Sequence, residues 1–134
     1  RAVFDLDGAM VRTAAGAPVD IPALVVVTAL GLGGHRDLFP DTFAILAETP
    51  TAVLVGIDGA DHFDVLDSPT VAPVLGGVAA SVPLGPVGPE ATTSTAQLVR
   101  RFIAGALSGD PLTAAELVSG IPHLTAIADY LVLD

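Results

Sequence analysis

Apolar residues fall into short unbroken runs in the first half of this chain and into a helical stripe in the second. Ala2 to Leu6 is a short, mainly apolar run that ends at Asp7-Gly8, the pattern of a buried strand followed by a tight turn. Residues 12–22 mix Ala, Gly and two prolines and read as loop. Ala23 to Thr28 (Ala-Leu-Val-Val-Val-Thr) is apolar and β-branched, so a strand covered on both faces is expected, as in a parallel sheet. Gly31 to Gly34 break it, and a helix is expected from about Asp41 to Ala47, with Phe43, Ile45 and Leu46 on one face. Pro50 leads into a third apolar run, Ala52 to Ile57, closed by the polar turn Asp58-Gly59-Ala60-Asp61-His62.

Helical spacing takes over further on. Residues 68–89 are rich in Pro and Gly, with one short helix expected near Val71 to Leu75. Pro89 suits a first helical position. Leu98, Phe102, Ile103 and Leu107 then form an apolar stripe at helical spacing, with Arg100 and Arg101 to the side and Gly109 as the stop. Thr113 to Glu116 has the spacing of a capping box and starts another short helix. The tail from Ile127 to Leu133 fits a helix end or a strand. Strand, loop, strand, helix, strand is the order of an α/β protein with parallel strands and flanking helices.

The length of 134 residues suits one domain. Fifteen acids against five bases give a net charge of −10, which argues against nucleic acid, because phosphate binding wants clustered Lys and Arg. The same charge disfavours an anionic membrane surface. With no cysteine, disulfides, thiolate zinc sites and Cys nucleophiles are excluded; the compartment stays open. No apolar run reaches the length of a membrane span. Arg1 stands directly before an apolar run, so the first residue reads as a cut within a longer chain, with the start of the protein missing.

Two residues suggest chemistry by position. His62 follows the third apolar run, and Asp7 ends the first. In open α/β sheets ligands bind outside the carboxyl ends of the strands, and a carboxylate there can hold an imidazole in one tautomer and stabilise the imidazolium. Acid before histidine is the chain order of the α/β-hydrolases, with the serine further upstream. Asp37, in His35-Arg36-Asp37 after the second run, is the rival acid; it or Asp41 equally suits a helix cap. Asp58, Asp61 and Asp64 surround His62 without regular metal-ligand spacing, Gly31, Gly33 and Gly34 do not make a phosphate cradle, and His123, after Pro122, reads as structural.

In order, Phe4-Asp5-Leu6-Asp7-Gly8, the run from Pro22 to Val27, His35-Arg36-Asp37, and Gly59-Ala60-Asp61-His62-Phe63-Asp64-Val65-Leu66-Asp67 resemble the C-terminal part of bacterial hydrolases similar to platelet-activating-factor acetylhydrolase. Leu84 to Pro89 and the helix ending at Gly109 resemble that family's last loop and last helix. The resemblance implies one α/β-hydrolase domain, of which residues 1–134 form the C-terminal part. It implies Asp7 as the triad acid, His62 as the base, and Asp67 as a loop-fixing acid. The substrate it implies is a small-molecule or lipid carboxylic ester, with no cofactor and no metal. Val65 stands where the family has an aromatic residue. Ser68, Ser81, Ser94, Ser108 and Ser119 all follow His62, and none sits in a Gly-x-Ser-x-Gly elbow. The oligomeric state is not implied.

Val3-Phe4-Asp5-Leu6-Asp7-Gly8 also resembles the first motif of the haloacid-dehalogenase-like phosphatases. That would make Asp5 a nucleophile, Asp7 an acid/base and Mg²⁺ the cofactor, with Thr28 in the second motif. The segment between the two is too short for that family's helix. A third possibility is a non-catalytic interaction module in which Asp7 and His62 are relics.

Overall fold

The computed structural model describes residues 1–6, 21–28, 44, 48–49, 51–61, 64, 86–110 and 112–129. Strands β1 (Val3–Leu6), β2 (Ala23–Val27) and β3 (Ala52–Ile57) come first. Helices α1 (Gly88–Ser108) and α2 (Ala114–Val118) follow, and β4 (Leu124–Asp129) comes last. They form one four-stranded sheet in the order β1-β2-β3-β4, with flanking helices. The class is α/β, with a mostly parallel mixed sheet.

The three apolar runs pair as parallel neighbours. Val3 is opposite Ala23 in β1–β2, and Ala23 is opposite Ala52 in β2–β3. Every residue of β2 and β3 is buried, which explains why neither run alternates with polar residues. One face presents Leu24, Val26, Val53, Val55 and Ile57 to Ala91, Leu98 and Phe102 of α1 and to Ala114 and Leu117 of α2.

The described part of the tail, up to Asp129, is strand. β4 begins at Leu124, earlier than its apolar pattern suggested, and runs antiparallel to β3, with Leu124 opposite Ile57. The register shifts at Leu54/Val55, where Val55 is opposite Ala126 and Leu54 opposite Ala128. Gly56 lies beside this irregularity, and a Cβ there would meet the Ile127 side chain at 3.2 Å.

α1 carries Pro89 in its first turn, as its spacing suggested, and ends at Gly109, whose φ of 75° is left-handed. The buried stripe matches the expected one at Leu98 and Phe102 and differs at its other positions. Ala91, Ser94, Thr95, Leu98, Phe102 and Gly105 face inward, whereas Ile103 is 37% and Leu107 77% exposed. Small residues at the close contacts fix the face, and the larger apolar side chains one position off it are left to solvent. α2 starts with the expected capping box: Thr113 accepts from the Glu116 backbone, and the Glu116 carboxylate accepts from the Thr113 N–H at 2.9 Å. Arg101 donates through Nη1 to the carbonyls of Glu116, Leu117 and Ser119 at 3.0, 2.8 and 2.7 Å, closing the far end of α2 against α1. Ala44 is helical, but the rest of the expected helix over 41–47, and that near 71–75, lies outside the described residues.

Candidate functional site

Parallel pairing brings the carboxyl ends of β1, β2 and β3 to one edge of the sheet. Asp7 is the residue after Leu6, and the turn that leads to His62 starts after Ile57. With β2 between them, those two strand ends are about 10 Å apart. Asp7, His62, Asp37, Asp41 and Asp67 themselves lie outside the described residues. Asp5, weighed as a phosphatase nucleophile, is the third residue of β1 and partly buried.

The turn after β3 is tightly built. Asp58 donates its backbone N–H to the His123 carbonyl at 2.8 Å, and its carboxylate accepts from the Thr125 hydroxyl at 2.6 Å. Gly59 has φ 75°, and a Cβ there would press on Val87 at 3.3 Å, so both backbone and space favour glycine. Asp61 donates its N–H to Asp64 Oδ2 at 2.7 Å, and Asp64 donates its own to the Asp61 carbonyl at 2.9 Å. The Asp64 carbonyl accepts from Thr92 of α1 at 2.8 Å, and Asp64 is fully buried. The residues on either side of 62–63 are thus tied to each other and to α1. Asp64 fixes this loop; its signal was the three-residue spacing from Asp61, at which a short carboxylate can reach backbone N–H groups.

A second polar group stands at the same edge. His123, read from the sequence as structural, precedes β4 and has φ 62°, an uncommon backbone conformation for a residue with a side chain. Its Nε2 lies 2.9 Å from Glu90 Oε2, in the first turn of α1. The pair borders an open cleft of about 430 Å³ lined by Pro89, Glu90, Thr93, Ser94, Pro122 and His123. Ser94 is 1% exposed, and its hydroxyl has no hydrogen-bond partner among the described residues. Glu90 and Ser94 escaped the sequence reading because a pairing 33 residues apart leaves no local mark.

Among the described residues no three His, Asp or Glu side chains converge as metal ligands, and no helix is long and apolar enough to cross a membrane. Comparison with protein-family models, with curated proteins and with solved structures gives no match.

Proposed function

We propose that the chain supplies the acid and the base of a serine hydrolase acting on carboxylic esters, as the C-terminal part of an α/β-hydrolase domain. The observation that supports this reading is the adjacent parallel order β1-β2-β3. It sets the carboxyl ends of β1 and β3 at one sheet edge, where α/β proteins bind ligands. His62 removes the proton of a serine as that serine attacks the ester carbonyl, and then activates the water that releases the acyl group. Asp7 orients the imidazole and stabilises its charged form. None of the five serines here lies in an elbow, so the reading assigns the nucleophile and the oxyanion donors to a segment before Arg1. It calls for no cofactor.

The test is hydrolysis of a short acyl ester by the 134-residue chain, by the longest reading frame that contains it, and by that frame carrying Asp7→Asn, Asp37→Asn or His62→Ala. The short chain should be inactive. The long one should be active, and should lose about three to four orders of magnitude in kcat/KM with Asp7→Asn or His62→Ala. Full activity in His62→Ala would remove His62 from the mechanism. Loss in Asp37→Asn with Asp7→Asn unaffected would move the acid to Asp37.

One observation favours a second reading. Glu90–His123 is a carboxylate–imidazole pair at the same edge. Ester hydrolysis that survives His62→Ala but not His123→Ala would make that pair the base. A Mg²⁺-dependent phosphatase activity lost on Asp5→Asn would instead select the dehalogenase-like chemistry.

A further inference from the structure

We propose that the cleft between the start of α1 and His123 binds a small primary ammonium ion with a short apolar body. This does not rest on the ester-hydrolase reading and uses neither Asp7 nor His62.

The polar groups of the cleft are mostly acceptors. Glu90 is 72% exposed on its side chain and gives Oε2 to His123 Nε2; its other oxygen remains an acceptor. Thr93 donates its hydroxyl proton to the Pro89 carbonyl at 3.1 Å and so can offer only its lone pairs. Among the described residues no Lys or Arg lines the cleft. Pro89 and Pro122 supply apolar walls.

Ser94 is the second, independent sign of a ligand. Thr92, Thr93 and Thr95, its neighbours on α1, each donate to a carbonyl, at 2.8, 3.1 and 2.8 Å. Among the described residues the Ser94 hydroxyl, unlike those three, finds no hydrogen-bond partner, although Ser94 is buried and lines the cleft. A buried hydroxyl left unmade is uncommon and calls for an explanation. A donor brought in by a ligand would satisfy it.

Three ligand classes compete. An anion would gain from the positive end of α1, but that partial charge fades within the first turn. The turn already holds the Glu90 carboxylate, which repels an anion with a full charge. A neutral alcohol would satisfy Ser94 and leave the carboxylate unused. A primary ammonium brings three N–H donors and a positive charge to a set of acceptors and a carboxylate.

The experiment is an NMR titration of the full chain with n-butylammonium, n-butanol and butyrate at constant ionic strength. Butylammonium should give saturable amide shifts confined to residues 90–94 and 123–124, and the other two should not. Glu90→Gln should weaken binding by about tenfold, and Ser94→Ala by about threefold. Ser94→Ala removes only an unbonded hydroxyl and keeps the fold. Saturable binding of butyrate or butanol at the same residues with equal or higher affinity would overturn the proposal. So would shifts that never saturate with butylammonium, or unchanged affinity in both variants.

Discussion

Gly105 shows how a missing side chain sets the approach of two segments. It lies on the buried face of α1, and the chain folds back across it just after the helix: Asp110 and Gly109 both donate N–H to the Gly105 carbonyl. A Cβ at this position would stand 3.1 Å from the Asp110 carbonyl oxygen and 3.1 Å from Leu112 Cγ. Backbone cannot yield as the tip of a flexible side chain does. Alanine would gain up to about 1 kcal/mol of helix propensity against an overpacking cost of about 1–3 kcal/mol. Because one of the two contacts is backbone, the cost wins, so Gly105→Ala should lower stability by up to about 2 kcal/mol in urea denaturation. A variant as stable as the parent would mean that the 109–112 turn moves freely. Gly56 is the contrasting case, because its close neighbour is the far end of the partly exposed Ile127 side chain, which can shift.

At the scale of elements, α2 is five residues long and depends on its ends. A helix this short cannot stand on propensity. Its first N–H groups are met by the capping box, and its last carbonyls by Arg101. The box also moves a titration: the Thr113 backbone N–H, and secondarily its hydroxyl, hold the Glu116 carboxyl below its ordinary value of 4.5. A folded-state pKa below the unfolded one contributes stability at higher pH, and that stability is lost as pH falls through the folded value. Stability should therefore decline as pH drops below about 4.5, with part of the slope due to this residue. Glu116→Gln keeps the box without the ionisation, so its melting temperature should fall less steeply over the same interval. Equal slopes in parent and variant would show that Glu116 adds nothing to acid sensitivity. The same elements show what the sequence made legible. β2 and β3 were plain because both faces are buried and the runs carry no polar residue. The box was plain because its two partners are three residues apart. The face of α1 was legible in part: Leu98 and Phe102 are buried as expected, whereas Ile103 and Leu107 were placed inward on size alone, and the small residues Ala91, Thr95 and Gly105 take up the rest of the buried face. β4 was ambiguous because its six residues mix apolar and polar positions without a period. The candidate site was legible only as positions after strand ends; Glu90, Ser94 and His123 come together through tertiary packing.

Over the whole molecule, charge and exposed apolar surface oppose each other. Net charge is −10 at neutral pH and vanishes near pH 4.3. Among the described residues β1 has a neighbour on one side only, and Phe4 on it is 45% exposed; Ile103 and Leu107 add apolar surface on α1. A strand with an unpaired side invites edge-to-edge pairing, and repulsion between like-charged copies restrains it at neutral pH. Removing that repulsion should expose the tendency, because association is promoted as net charge approaches zero. Sedimentation velocity should find more self-association as pH is lowered towards 4.3 and as salt is raised at neutral pH, since screening weakens the same repulsion. Phe4→Lys places a charge on the strand itself, a device natural edges use, and changes the net charge only from −10 to −9. If β1 is the contact, this variant should stay monomeric further into both series than Leu107→Lys, which carries the same charge change on the 77% exposed site of α1. The reverse ranking would place the contact on the helix, and equal behaviour would reduce the effect to net charge alone.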